Sequence, residues 1–397
     1  MMSEQYNELH LENMVIGGDQ NVTIKSAQYK GTEQRDENFI DIDSTSVEEV
    51  DVDNSTTQTP VQSKAWTRFK ELEMRVNAGE LIVLDGATGT ELTERGVSAE
   101  QQWNGWPAQL FVPDVVRDVH RSYVDTGVDI VTTNTYGTNR HVIGDDGSIS
   151  KESLDKSNML AVELCREAIG DENVLVAGSM SNHPPAISKT VREVSVDDDK
   201  SINLTEIGDW PTPLKELKNY REQASSLVAG GVDILFLEMV KDRLHGELLV
   251  TAAIETGLPV VIGLTLTVLE SGAVVARDDQ TFTVEEMIRQ WRVHPNVVGF
   301  SAMHISANET ETHVKAIRSY WDGFIAAYPN QGKFVPPNWE ICEPIPAAEY
   351  REYAIKWRRA GANAIGGCCG IGPKTIEEVK SLSREINQAI TQERQVA

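Results

Sequence analysis

The stretch PLKELKNYREQASSLVAGGVDILFLE, residues 213–238, joins an amphipathic segment to a short apolar run through two adjacent glycines. Apolar residues recur at helical spacing before the glycines, so this part predicts a helix. The run VDILFLE that follows is short and rich in β-branched and large apolar residues, which predicts a buried strand. A helix that leads directly into such a strand is typical of an α/β fold.

The same alternation repeats along the chain from Trp66 onward, with further amphipathic segments such as residues 309–328. Eight apolar runs are predicted strands: residues 81–86, 128–135, 174–180, 232–238, 260–266, 297–302, 333–338 and 363–367. Eight strands, each followed by a helix, predict a (β/α)8 TIM barrel over residues 65–397. An open doubly wound sheet is the alternative, but no GxGxxG turn follows the first strand.

Two segments do not fit the repeat. Residues 1–64 are polar and acidic with few apolar anchors, so we expect a disordered or loosely ordered N-terminal extension. The longest insertion, residues 183–213, follows the third predicted strand. In a barrel this loop lies on the face where chemistry occurs, so we expect it to form a lid or a wall of the substrate site.

The charge of the chain limits its partners. The 397 residues include 36 Lys and Arg against 61 Asp and Glu, a formal net charge of -25. This field repels phosphate backbones and anionic membrane surfaces, so small molecules are the expected partners. No apolar stretch has the roughly 20 residues of a membrane span and no signal peptide is evident, so we expect a cytoplasmic protein. The oligomeric state is left open.

Polar residues follow most of the predicted strands. In a barrel the carboxyl ends of the strands meet at one mouth, where side chains from different strands converge. Taken together these residues favour a binding site over packing roles. They are Asp85, Asn134, Tyr136, Glu238, Thr265, Thr267, His304, Asn338, Glu340, Cys368 and Cys369.

The motif GGCCG, residues 366–370, contains two of the four cysteines of the chain. Four cysteines are too few for a disulfide scaffold of this size, which favours a metal-binding or catalytic role for a clustered pair. The flanking glycines allow the backbone to turn closely, and two thiolates are typical zinc ligands. A packing role in the turn is the alternative.

Four motifs together resemble the homocysteine S-methyltransferase family: LDGATGTELTERG (84–96), VTTNTYGTN (131–139), GVDILFLE (231–238) and GANAIGGCCGIGPKTI (361–376). The resemblance runs from about residue 80 to about residue 385. It implies a barrel in which zinc binds the homocysteine sulfur as a thiolate and a methyl group is passed to that sulfur.

The resemblance also implies roles for individual residues. Cys368 and Cys369 match two zinc ligands, and Asp85 and Glu238 match carboxylates that hold the substrate ammonium. The backbone N–H groups of Gly86 and Ala87 match those that receive the substrate carboxylate. No catalytic residue beyond the zinc site is implied.

One position departs from the family pattern. Ala302 stands where the family has its third zinc-ligating cysteine, and alanine cannot ligate metal. His304 is the first substitute, because two residues along an extended strand would return to the same face. Cys342 is the second, and a water molecule or the absence of zinc is the third. Imidazole in place of thiolate makes the zinc complex more positive, which keeps a different thiol acceptor open.

The expected function is therefore zinc-dependent transfer of a methyl group to homocysteine, which gives methionine. The donor is expected to be an onium compound such as S-methylmethionine or a betaine-like molecule, bound through cation–π contact with Tyr136. Trp103, Trp106 and Trp339 are further candidates for that contact. A non-catalytic binding or regulatory protein built on the same barrel is the alternative, and the identity of the donor is left open.

Overall fold

The computed structural model describes residues 59–97, 107–143, 150–185, 210–335, 338–340 and 344–396, together with 9–10 and 28–29. The chain divides into two compact units, residues 1–56 and 57–397. In the first unit, Leu9–His10 and Gln28–Tyr29 pair as antiparallel strands. The remainder of that unit, and most of the predicted loop at 183–213, lie outside the described residues.

The second unit contains an eight-stranded parallel sheet. Each strand pairs with its neighbour in sequence, the last strand pairs with the first, and a bridge from Leu84 to Ile130 joins the first strand to the second. The predicted (β/α)8 barrel is therefore confirmed. The strands are β1 (Ile82–Val83), β2 (Ile130–Thr132), β3 (Leu175–Ser181), β4 (Ile234–Val240), β5 (Val260–Leu264), β6 (Val297–Ser306), β7 (Phe324–Asn330) and β8 (Ala364–Ile365).

Helices cover the outside of the barrel, and their ends follow local sequence. Thr283 and Glu286 form a capping box at the start of one helix, and Gly231 ends another in the left-handed conformation that suits glycine. None of the described helices is long and apolar enough to cross a bilayer. The helices are α1 (Pro60–Asn77), α2 (Thr88–Glu94), α3 (Pro113–Thr126), α4 (Arg140–Ile143), α5 (Lys151–Ile169), α6 (Pro213–Gly230), α7 (Arg243–Ile254), α8 (Val284–Trp291), α9 (Ala307–Arg318), α10 (Ala347–Ala360) and α11 (Pro373–Val396).

Helix α1 closes the N-terminal end of the barrel. It begins at Pro60, before the predicted start of the barrel at residue 65. The indole nitrogen of Trp66 donates a hydrogen bond to the carbonyl of Gly257 at 2.9 Å, while Phe69 and Leu72 pack against the side chains inside the barrel. Residues 60–64 therefore belong to the unit that contains the barrel.

The seventh strand is not where the sequence predicted it. Residues 324–330 form β7, whereas residues 333–335 pair antiparallel with 338–340 in a hairpin outside the barrel sheet. The run FIAAY was interpreted as the end of a helix, but α9 ends at Arg318. A run of five apolar residues fits a helix or a strand equally well, so periodicity could not separate the two.

Alternation along the strands divides their side chains between two apolar layers. One layer lies between the sheet and the helices and includes Ala302 and Ile305. The other fills the barrel. Its members from the strands include Ile82, Leu84, Ile130, Leu175, Ala177, Ile234, Phe236, Val261, Met303, Phe324, Ala326, Tyr328 and Ala364.

Buried carboxylates paired with half-buried arginines support the N-terminal end of the sheet. Asp233 precedes β4 and accepts a hydrogen bond from the backbone N–H of Val176 at 2.7 Å. The same carboxylate pairs with Arg166 at 2.9 Å, and Asp129, which precedes β2, pairs with Arg75 at 2.9 Å. These carboxylates join neighbouring strands at the end of the barrel opposite to the predicted site, so their role is stability.

Candidate active site

A cavity of about 420 Å³ opens at the C-terminal end of the barrel. Residues at the ends of all eight strands or in the loops that follow them line it, as the convergence of strand ends predicted. Gly86, Ala87, Asn134, Tyr136, Glu238, His304, Cys368 and Cys369 are all among the lining residues.

The cysteine pair lies in the turn that follows β8. The backbone N–H of Cys368 donates to the carbonyl of Pro329 at 2.8 Å, and the carbonyl of Cys369 accepts from Gln331 at 2.8 Å. The two sulfur atoms are 3.8 Å apart. The hydrogen bond with Cys369, followed by burial, raises the pKa of the Cys368 thiol well above its ordinary value. The Cys368 thiol therefore needs a nearby positive charge before it can ionise.

His304 reaches the cysteines from β6. Its Nδ1 atom lies 3.8 Å from Cys368 Sγ, and its side chain is 9% exposed. The expectation that His304 shares a face with Ala302 is wrong, because Ala302 packs in the layer outside the barrel. The backbone of His304 takes a positive φ of 53° where the β6 register shifts between Met303 and Ser306. The left-handed backbone conformation of His304 interrupts the alternation of the strand. The imidazole of this residue therefore lines the cavity, although Ala302 faces the helices.

Glu238 completes this group at the end of β4. One carboxylate oxygen lies 3.5 Å from His304 Nε2, and the other accepts a hydrogen bond from the hydroxyl of Ser179. Ligand atoms of Glu238, His304 and Cys368 all lie within 4.8 Å of one another, a group that could hold a metal ion. Cys369 adjoins the group through Cys368, and Cys342 lies outside the described residues.

Asp85 lies behind the cavity wall. One of its oxygens accepts from the Thr132 backbone N–H at 2.6 Å, and the other accepts from the hydroxyls of Thr132 at 3.0 Å and Tyr328 at 3.1 Å. Complete burial raises the pKa of this carboxyl from 3.8 to about 7, against the effect of those hydrogen bonds, and the charge of Glu238 raises it further. Asp85 does not line the cavity itself but forms hydrogen bonds to two residues that do, Thr132 and Tyr328. Of the two carboxylates predicted to hold the substrate ammonium, Glu238 is the one that lines the cavity.

The two backbone N–H groups predicted to receive a carboxylate differ in their surroundings. The N–H of Ala87 donates to the carbonyl of Ile371 at 2.9 Å, which occupies it within the protein. Gly86 lines the cavity at a close approach, since a Cβ added there would lie 2.1 Å from the same Ile371 carbonyl oxygen. Glycine is therefore required where the β1 loop passes the β8 loop.

Tyr136 lines the cavity beside His304. Its ring centroid is 5.7 Å from that of His304 and 5.6 Å from that of His183, and its hydroxyl contacts the sulfur of Met239. Burial lowers the pKa of His183 to about 4, so this neighbour is an uncharged ring at neutral pH. Three rings thus border one part of the cavity.

The other predicted residues lie around this centre. Asn134 donates to the side chain of Gln109 at 3.0 Å, and Thr265 donates to the carbonyl of Met303 at 3.3 Å. Thr267 lies in a hairpin of strands Leu266–Val268 and Val274–Ala276 that follows β5. Asn338, Trp339 and Glu340 form one strand of the hairpin after β7, and Trp103 and Trp106 lie outside the described residues.

Tyr328 and Arg277 are among the lining residues that sequence reasoning missed. Tyr328 ends the part of β7 that was predicted to be helical, so a correct assignment of FIAAY would have found it. Arg277 follows the hairpin after β5, an insertion whose path the eightfold repeat does not predict. Its signal in the sequence is weak, because a lone arginine in an ARDD segment is more often a solvated surface residue.

Comparisons with known proteins identify the family of the chain. Residues 82–382 match the family model for homocysteine S-methyltransferase. Homocysteine S-methyltransferase 1 of Brassica oleracea var. italica is 24% identical over 78% of this chain and 94% of its own. Homocysteine S-methyltransferase 4 of Zea mays is 25% identical, with 78% of this chain and 91% of its own covered.

Among solved structures, the metallated form of the homocysteine methyltransferase MmuM from Escherichia coli has a TM-score of 0.58. That match covers 78% of this chain and 99% of MmuM at 19% identity, so it supports the fold. The family model extends from β1 to α11 and includes every described residue of the candidate site. The chain therefore belongs to the homocysteine S-methyltransferase family of enzymes.

Proposed function

We propose that this enzyme transfers a methyl group from an onium donor to the thiol of homocysteine, with zinc held by Cys368, Cys369 and His304. The observation that carries the proposal is the convergence of thiol, imidazole and carboxylate at one wall of a cavity in a barrel of this family. A cavity of about 420 Å³ is within the usual range for sites that bind small molecules.

The separations of the ligand atoms support a zinc site. With bonds of about 2.3 Å to sulfur and about 2.0 Å to nitrogen or oxygen, atoms around a tetrahedral zinc lie roughly 3.3–3.8 Å apart. The two sulfur atoms are 3.8 Å apart, and Cys368 Sγ is 3.8 Å from His304 Nδ1. These two distances match edges of such a tetrahedron. The group whose ligand atoms all lie within 4.8 Å of one another is Glu238, His304 and Cys368, so Cys369 would join the metal by rotation of its side chain. Zinc bound there would lower the pKa of the homocysteine thiol and keep its sulfur a thiolate.

His304 takes the place of the cysteine that the family has at Ala302. If Nδ1 faces the metal, Nε2 is left for Glu238, whose carboxylate lies 3.5 Å away. A carboxylate behind a ligating histidine fixes the orientation of the ring and raises its basicity. The positive φ of His304 is a strained conformation that metal binding would help to maintain.

Glu238 and the β1 loop are assigned to the amino-acid end of homocysteine. Glu238 lies beside the metal group and is the negative charge available to the ammonium. Asp85 acts through Thr132 and Tyr328, and the Gly86 backbone is assigned to the carboxylate. Tyr136 lies close to His304 and supplies an aromatic face for the positive charge of the donor.

The reaction needs no proton transfer at the methyl carbon. The thiolate sulfur attacks that carbon, and a new S–C bond forms as the bond from carbon to the onium sulfur or nitrogen breaks. The electron pair of the broken bond stays with the leaving sulfur or nitrogen, which becomes neutral. The proton of the homocysteine thiol has already passed to solvent. The protein contributes by holding the two reactants in line and by excluding water.

The metal is tested on protein purified under reducing conditions. We expect about one zinc per chain, and X-ray absorption at the zinc edge should show two protein sulfurs and one imidazole. Cys368→Ser and Cys369→Ser should each lose zinc, while Cys165→Ala, at a buried cysteine of α5, should keep it. Free thiols are counted in parallel, because oxidation of the pair would also expel metal. Fully reduced protein that takes up no zinc would overturn the proposal.

The chemistry is tested with S-methylmethionine or betaine as donor and homocysteine as acceptor, by measuring methionine. Homocysteine is compared with 4-mercaptobutyrate, which lacks the ammonium, and Glu238→Gln is expected to reduce the preference for homocysteine by about tenfold. Zinc-loaded protein that methylates neither thiol with any onium donor would favour the non-catalytic alternative.

A further inference from the structure

Arg277 is a part of the cavity that the proposed chemistry does not use. It follows the hairpin Leu266–Val268 and Val274–Ala276, which extends β5 beyond the barrel rim. Its backbone N–H donates to the carbonyl of Thr265 at 3.1 Å, which ties the end of the hairpin to the end of the strand. Among the described residues that line the cavity, Arg277 is the only lysine or arginine.

The guanidinium of Arg277 is positioned without being neutralised. One of its N–H groups donates to the backbone carbonyl of His304. Within the described part of the chain, no carboxylate forms an ion pair with it, although the charges of Asp278 and Glu309 act on it from a greater distance. The adjacent Asp278 instead pairs with Lys241 at 2.5 Å. The guanidinium of arginine has five N–H donors, so four of them remain available to a ligand after the bond to His304.

An arginine that is held in place and has no direct ion-pair partner suits a planar anion when it lies beside a small-molecule cavity. Arginine binds carboxylates through two parallel hydrogen bonds, a geometry that lysine cannot reproduce. The surroundings of Arg277 therefore indicate a carboxylate ligand.

The position of Arg277 indicates which of the two substrates would present its carboxylate to it. The residues assigned to the amino-acid end of homocysteine lie deep, since Asp85 is 0% and Glu238 is 5% exposed. Arg277 is exposed at the rim, and it follows β5, which lies across the barrel from β1 and Gly86. A donor that enters after homocysteine would present its far end to this rim while its onium group meets Tyr136.

We propose that Arg277 binds the carboxylate of the methyl donor, so that the enzyme selects donors that carry both an onium group and a carboxylate. This inference rests on the proposed function and adds the class of donor to it. S-methylmethionine and betaine both satisfy the requirement, whereas choline and simple sulfonium compounds do not.

The test compares donors with and without the carboxylate on the wild-type enzyme and on its variants. S-methylmethionine is paired with (3-aminopropyl)dimethylsulfonium, which lacks only that carboxylate. The variants are Arg277→Met, which removes the charge, and Arg277→Lys, which keeps charge but loses the fork. Arg289→Met is the matched control, because Arg289 is exposed on α8 and pairs with Glu285. Zinc content is measured for every variant.

We expect Arg277→Met to lower kcat/KM for S-methylmethionine by about 10- to 100-fold, the worth of a charge-assisted hydrogen-bonded pair, with Arg277→Lys between it and wild type. The value for the decarboxylated donor should change less than about threefold. Calorimetric binding of the same two compounds should show the same difference without turnover.

Three results would overturn the inference. An equal loss for both donors, with reduced zinc content, would make Arg277 a positioning residue that acts through the His304 carbonyl. A loss that instead follows the carboxylate of the acceptor, seen by comparing homocysteine with 3-aminopropanethiol, would assign Arg277 to homocysteine. Equal calorimetric binding of both donors to wild type would contradict carboxylate recognition altogether. Absence of turnover with every donor, while binding still depends on Arg277 and the carboxylate, would reject the proposed reaction and leave the binding site standing.

Discussion

Replacement of Asp85 by asparagine should change the pH dependence of stability. Asp85 is 0% exposed and its carboxyl has a pKa of about 7, compared with 3.8 for an ordinary aspartate. Burial is the main cause, because it disfavours the charged form. A difference of this size corresponds to a free energy on the order of 4 kcal/mol.

The sign follows from the protons bound in each state. Between pH 4 and pH 7 the unfolded chain has an ionised Asp85, while the folded protein keeps it protonated. Folding therefore takes up a proton, and the free energy of unfolding falls as pH rises through this window, by at most about 1.4 kcal/mol per pH unit. Below about pH 4 and above about pH 7, Asp85 contributes no further slope.

Asp85→Asn removes this titration and keeps a side chain that can accept from the Thr132 backbone. We expect the free energy of unfolding of the variant to rise steadily relative to that of the wild type from pH 4 to pH 7. The total change in this difference should be on the order of 4 kcal/mol. Urea unfolding of the metal-free proteins, followed by tryptophan fluorescence at several pH values, measures the difference. Asp118→Asn on α3, whose side chain is 63% exposed, is the control and should show a flat difference. A flat difference for Asp85→Asn as well would refute the assigned burial effect.

Three further substitutions test the packing and the donor side of the site. Gly86→Ala should lower the free energy of unfolding by about 2 kcal/mol, because its Cβ would meet the Ile371 carbonyl oxygen at 2.1 Å. The control Gly137→Ala makes only an ordinary contact at 3.5 Å and should be nearly neutral in the same urea titration. Asp233→Ala should destabilise by about 2 kcal/mol, since it leaves the buried backbone N–H of Val176 unpaired and removes the carboxylate partner of the half-buried Arg166, and a loss below about 1 kcal/mol would contradict that role. Tyr136→Leu should raise the KM of the donor about fivefold while Tyr136→Phe stays near wild type, and equal effects of the two would argue against cation–π contact.

The repeat in the sequence was sufficient for the barrel, although it failed at one strand. Seven of the predicted strands overlap the barrel strands, since each combines an apolar run with a helix-ending turn. FIAAY failed because five apolar residues beyond α9 have no period of their own. The neighbouring strands decide that this run is a strand, because Phe324, Ala326 and Tyr328 turn inward only when β6 and β8 pair on either side.

The part of the candidate site that lies in local sequence motifs could be predicted from the sequence. GGCCG requires a tight turn with two adjacent thiols, and Glu238 ends a strand whose alternation points it inward, so both could be identified from local sequence. His304 was identified as a ligand candidate for an incorrect reason, because a left-handed residue rather than strand alternation turns it toward the cysteines. Backbone conformation of that kind depends on the whole barrel and leaves no local signal.

The sequence by itself determined the barrel, the family and the residue types that meet at its mouth, because hydrophobic periodicity and close turns are local properties. The tertiary structure decided which of those residues reach the cavity. It buried Asp85 behind Thr132 and Tyr328, occupied the N–H of Ala87 with Ile371, and brought Arg277 to the rim. Those outcomes depend on contacts between strands far apart in the chain, where burial and hydrogen-bond partners are set by the closed sheet.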